Sequence, residues 1–125
     1  MAKPPSKTTL RNKADKLWSQ RIREIGYCEK CGKTGLLNAH HVFGKGNYST
    51  RYELENGCCL CVGCHKFSIK FSAHETPMEF TKWILSKRGE DWYNRLKKKA
   101  YTPIKTTVDW YYNQIDNLRS NRENV

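Results

Sequence analysis

The sequence predicts a small zinc-bound α+β domain: two strands and a helix, flanked by an N-terminal helix and two or three C-terminal helices. Three observations predict it. Two Cys-x-x-Cys pairs, Cys28/Cys31 and Cys61/Cys64, bracket two short apolar runs. Apolar residues at helix-face spacing lie before and after this region. The 125 residues leave room for one domain and little more.

Residues 1–9 carry Pro4-Pro5 and lysines and almost nothing apolar, so they read as a flexible basic arm. Leu10, Ala14, Leu17, Trp18, Ile22 and Ile25 share one helix face, predicting a helix over 10–26 with Gly26 as its C-terminal cap. Trp18 reads as a core anchor. Residues 27–75 follow the order strand, long loop, strand, helix. Leu36 to Phe43 is the first strand, residues 44–56 are a polar loop, Gly57 to Leu60 return, and Cys61 opens the helix. Residues 76–120 form a helical extension. It starts at the capping box Thr76-Pro77-Met78-Glu79, is punctuated by Gly89 and Pro103, and ends in a helix capped by Thr106 or Thr107. Residues 121–125 are a tail.

The 23 basic residues against 12 acidic give a charge of +11, which suits a polyanionic partner, nucleic acid first and an acidic membrane surface second. Charge alone also allows a basic protein with no such partner. No run approaches the roughly 20 apolar residues of a membrane span. The start MAKPPSKTTLRNK has no apolar stretch behind it, so no secretory signal is expected and the cytoplasm is the expected compartment. Six cysteines in such a chain point to metal rather than disulfides.

Each Cys-x-x-Cys turn brings two thiolates to one ion, and two turns complete the tetrahedral S4 shell that suits structural Zn²⁺. Cys28, Cys31, Cys61 and Cys64 are therefore the expected zinc ligands. Such a site contributes on the order of 10 kcal/mol of folding energy, which a thin, polar core needs. Cys58 and Cys59 read as small buried apolar residues outside the site.

Around these pairs lie His40-His41, Asn56 and His65. Adjacent residues of a strand face opposite ways, so His40 and His41 have different jobs unless the strand twists between them. His40-His41-Val42 followed by Glu55-Asn56-Gly57-Cys58-Cys59-Leu60-Cys61-Val62-Gly63-Cys64-His65 resembles the HNH endonuclease motif in its zinc-stapled form. The resemblance covers about residues 27–75. It implies a ββα-metal finger gripping one catalytic cation. More loosely, KADKLWSQRIREIGYCEKCGKT, STRYELENG, PMEFTKW and WYNRLKKKA look like small phage HNH proteins, some of which are recombination nucleases acting on branched DNA.

The resemblance implies that His41 is the general base, that His40 and His65 hold the catalytic divalent cation, and that Asn56 ties the loop against His41. Mg²⁺ or Mn²⁺ is the implied cation, with Ni²⁺ or Co²⁺ able to substitute. A third ligand is often found one helical turn after the position of His65, where this chain has Ile69. If the chain turns back after Phe71, His74 replaces it; otherwise His74 contacts phosphate or is merely exposed. Lys45 and Arg51 of the loop are candidate phosphate contacts, as are Lys97 and Lys98. The expected partner is DNA, with no membrane and no small-molecule ligand. Cleavage would leave 5′-phosphate and 3′-hydroxyl ends, in a bacterial host cytoplasm if the chain is phage-encoded. A non-catalytic zinc-bound DNA module and an RNA-directed nuclease are the competing readings. Whether the aromatic C-terminal helices pack on the finger or on a second copy is open.

Overall fold

The computed structural model describes residues 3–120. The expected tail at 121–125 lies outside the described residues. Helix α1 spans Lys7–Arg23. Ser6 caps it, its hydroxyl accepting the Thr9 amide at 3.2 Å and so satisfying an N–H that a helix start leaves open. Residues 7–9 thus belong to the helix and not to the arm, because a good cap outweighs their lack of apolar side chains. Beyond the last turn, Gly26 takes φ +86°, a conformation that costs any other residue, and lets the chain reverse toward the first cysteine pair.

Strands β1, Leu37–His41, and β2, Gly57–Cys61, form an antiparallel hairpin. Its register pairs Leu37 with Cys61, His40 with Cys58 and His41 with Gly57. The strand is shorter than the apolar run suggested. Leu36 is 83% exposed, and at the other end the Val42 and Phe43 amides turn to Asn56 instead of a strand. The connecting loop contains a short helix α2, Tyr48–Arg51, and a 3-10 turn at Leu54–Asn56.

After β2 the expected helix is only one π-helical turn, Gly63–Phe67. Ser68 ends it. Its amide returns to the Gly63 carbonyl at 2.9 Å, and its hydroxyl accepts the amides of Lys70 and Phe71, offering the backbone an alternative to helix. The chain then folds back, with the Ala73 and His74 amides donating to the Cys64 and His65 carbonyls.

Helix α3 runs Pro77–Arg88, α4 Glu90–Ala100 and α5 Val108–Ser120. The capping box at Thr76 does not form. Its hydroxyl donates to the Ser72 carbonyl and accepts the Ser72 amide, both at 2.9 Å. Thr107 does cap α5 by accepting the Trp110 amide.

Two buried clusters flank the hairpin. On one side Cys28, Cys58 and Leu60 meet Phe80, Ile84, Trp92 and Leu96 of α3 and α4. On the other, Leu10, Ala14 and Trp18 of α1 meet Tyr52 and the Tyr111, Ile115 and Leu118 face of α5. The C-terminal aromatic helix therefore packs within its own chain. Among the described residues no helix is long and apolar enough to cross a membrane.

Candidate active site

The four expected sulfur ligands converge. The Sγ atoms of Cys28, Cys31, Cys61 and Cys64 all lie within 4.8 Å of one another, and those of Cys31 and Cys61 are 3.6 Å apart. Tetrahedral Zn–S bonds of about 2.3 Å place sulfurs about 3.8 Å apart, so this donor set fits structural zinc. The Cys64 amide points at Cys61 Sγ, while burial and the neighbouring sulfurs push the Cys64 thiol up. Burial raises the Cys28 thiol, yet donors from Cys61, Cys31 and Lys30 outweigh it and bring it down to about 7. Cys58 and Cys59 lie fully buried outside this cluster. Burial pushes Cys59 up to about 11 and Cys58 further still, so both stay neutral thiols.

Glu29, between the first two ligands, fastens the knuckle to the fold. Its carboxylate accepts the Cys59 amide at 2.7 Å and an Arg88 guanidinium N–H at 3.1 Å. Burial alone would raise this carboxyl. The Cys59 amide and the Arg88 charge overcome that and hold it below its usual range.

The hairpin directs its neighbouring histidines to opposite sides. His40 faces α3, its ring 5.0 Å from that of Phe80. It joins His65 from the π-turn and His74 from the returning chain in a trio whose ring nitrogens lie within 4.8 Å of one another. The Nε2 atoms of His65 and His74 are 3.1 Å apart, about the spacing of two nitrogens held 2.0–2.1 Å from one ion. The chain does turn back after Phe71 and brings His74 to His40 and His65, while Ile69 is 85% exposed. His65 Nδ1 is buried without a hydrogen-bond partner among the described residues. Burial, reinforced by the neighbouring imidazoles, depresses His40 to about 3 and His65 to about 4. Neutral nitrogens are what a cation requires, so the trio fits a divalent ion.

His41 turns to the other face and stacks on Trp18 of α1, with ring centroids 3.8 Å apart. Its Nε2 lies 3.0 Å from the Arg51 carbonyl. A carbonyl only accepts, so Nε2 carries the hydrogen and neutral His41 keeps its lone pair on Nδ1. Burial brings this imidazole down to about 4 although the Arg51 carbonyl opposes the shift.

Asn56, fully buried, fixes that carbonyl's neighbourhood. Its Oδ1 accepts the Phe43 amide at 2.7 Å. Its Nδ2 donates to the carbonyls of Phe43 and Thr50 at 3.0 and 3.1 Å. Both donors of the amide and its oxygen are engaged by Phe43 and Thr50 at the two sides of the loop, as a carboxylate could not manage.

Arg51, a candidate phosphate contact by sequence, is engaged within the fold. Its Nε and Nη2 clasp Asp15 of α1 at 2.9 and 2.8 Å, and Nη1 donates to the Lys45 carbonyl. The side chain is 10% exposed, so the fork is spent on joining the loop to α1. Lys45 itself is exposed and lines an open cleft of ≈ 380 Å³ with His40, His41, His65, Lys66 and His74. Lys97 and Lys98 are exposed on α4 and do not line this cleft.

Sequence reasoning missed four contributors: Asp15, the second role of Trp18, Gly57 and Lys66. Asp15 had a signal, being the single acid among the first 23 residues. Gly57 had none. A Cβ there would meet Ile22 Cδ1 at 2.1 Å and Trp18 Cζ2 at 3.0 Å, so only glycine lets α1 come this close to His41's cross-strand partner.

The chain matches no family model, no curated protein and no solved structure.

Proposed function

We propose that the chain is a metal-dependent DNA endonuclease of the HNH, ββα-metal type. The observation that carries this reading is the pairing of a tautomerically fixed His41, on the Arg51 carbonyl, with a trio of converging histidines in one basic cleft. A proton acceptor beside a cation site under Lys45 and Lys66 suits hydrolysis of a phosphodiester.

In this reading His41 Nδ1 takes a proton from water as the water oxygen bonds to phosphorus. The bond from phosphorus to the 3′ oxygen breaks, and that oxygen is protonated from solvent, giving 5′-phosphate and 3′-hydroxyl ends. His40, His65 and His74 would hold Mg²⁺ or Mn²⁺, which when bound stabilises negative charge on the phosphoryl and leaving oxygens. Trp18 and Asn56 hold the His41 ring and its carbonyl partner in place. An anionic phosphodiester beside His41 raises its affinity for a proton above that of the free site. Cys28, Cys31, Cys61 and Cys64 would hold structural zinc and so fix β2 and His65.

The test is plasmid nicking with Mg²⁺ or Mn²⁺ by the parent and by His41→Ala. Loss of the base should slow nicking about 10²- to 10⁴-fold. Equal rates would remove His41 from the mechanism. Binding without cutting by either protein would favour a non-catalytic DNA module. Competition between RNA and duplex DNA at fixed salt checks the substrate class.

A further inference from the structure

Phe67 and Ile69 are 69% and 85% exposed, although each is a large apolar side chain. Lys66 and Lys70, exposed as well, bracket them. The loop carrying them is held in shape from within. The Ser68 amide binds the Gly63 carbonyl and the Ser68 hydroxyl accepts the Lys70 and Phe71 amides. Phe71, where the loop re-enters the fold, packs against Trp83 with ring centroids 5.6 Å apart. A tip anchored this way presents its apolar residues by construction. It also borders the cleft: Lys66 follows His65 directly and lines the cleft with the three metal-site histidines.

We infer that the 66–70 loop is a wedge that meets the face of an unstacked DNA base next to the phosphate held in the histidine cleft. The inference rests on the nuclease reading above and names where such an enzyme takes hold. A ligand with a phosphate at Lys66 and a flat apolar surface one step away is a nucleotide strand. Aromatic and aliphatic side chains beside lysines are the chemistry that engages bases once they leave the stack. In an intact duplex those faces are hidden, so the wedge favours DNA in which stacking is already broken. Ile69 is not one of the converging histidine-site residues, and its exposed side chain is available for this contact.

The experiment uses the full zinc-loaded chain and two duplexes, one intact and one with a single-nucleotide gap beside 2-aminopurine, without added Mg²⁺ or Mn²⁺. The double variant Phe67→Ser/Ile69→Ser should keep the parent's thermal transition and nearly its affinity for the intact duplex. It should lose about tenfold or more in affinity for the gapped one and lose the change in 2-aminopurine emission. Lys66→Gln and Lys70→Gln should weaken both duplexes alike and each lower the salt slope by about 1. Equal affinity of parent and double variant for the gapped duplex overturns the wedge. So does a Phe67- and Ile69-dependent binding to phosphatidylserine vesicles without any effect on DNA. A parent that nicks plasmid yet is indifferent to these substitutions sinks the wedge alone, whereas a parent that binds no DNA sinks both readings.

Discussion

The imidazole of His41 lies flat on the indole of Trp18, with centroids 3.8 Å apart and planes 11° from parallel. The indole is fixed in turn, because its Nε1 donates to the Glu53 carbonyl at 2.9 Å. One aromatic ring thus joins α1, the loop and the strand end, and serves both core packing and the orientation of His41.

Replacing Trp18 with Leu should therefore act twice. The cavity and the lost Nε1 bond should lower unfolding free energy by about 3 kcal/mol in urea titrations. Nicking should fall through kcat more than KM, since the ring of His41 loses its platform. Trp18→Phe, which keeps a ring, should recover part of the kcat.

Asn56→Asp keeps the shape of the amide but turns its donor into an acceptor facing the carbonyls of Phe43 and Thr50. A buried group left unpaired, or charged, should cost about 3 kcal/mol or more. Chemical denaturation measures this, and a change within error of zero would mean that the loop can rearrange around it.

Gly57→Ala inserts a methyl group where Ile22 Cγ1 would stand only 2.5 Å away. Overpacking of this kind costs about 1–3 kcal/mol. The displaced contact lies between α1 and the strand end, so intrinsic tryptophan fluorescence should change along with the melting temperature.

The two candidate metal sites should separate experimentally. His74→Ala should weaken Mn²⁺, Ni²⁺ or Co²⁺ binding by about tenfold or more, measured by calorimetry, and leave bound zinc unchanged. Cys28→Ser should lose zinc and the sharp thermal transition together. A cooperative melt in that variant would contradict a structural role for the sulfur cluster.

Acid should destabilise the protein freed of divalent ion at its histidines. His40, His41 and His65 are held at about 3, 4 and 4, chiefly by burial, against 6.5 for an exposed imidazole. Unfolded chains bind these protons below about pH 6.5 and the folded protein does not. The stabilisation is thus complete above pH 6.5 and lost as the pH falls toward 4. Melting temperatures from pH 7.5 to 5 should show the decline, and His41→Phe, which preserves the stack without a titrating nitrogen, should make it shallower.

The sequence by itself determined the parts that depend on near neighbours. Cys-x-x-Cys spacing sets two thiols on one turn, so the sulfur cluster of Cys28, Cys31, Cys61 and Cys64 was legible before any fold. Strand alternation separated His40 from His41 for the same local reason. Gly89 and Pro103 marked breaks because their backbone chemistry is their own. What only the tertiary structure decided depends on groups far apart in the chain. Arg51 found Asp15 across 36 positions, a pairing that joins the loop to α1. Trp18 met His41, and Gly57 admitted α1, through close packing that no spacing rule encodes. His74 joined the trio because Ser68 stopped a helix, a competition between side-chain and backbone hydrogen bonds whose outcome the rest of the fold settles.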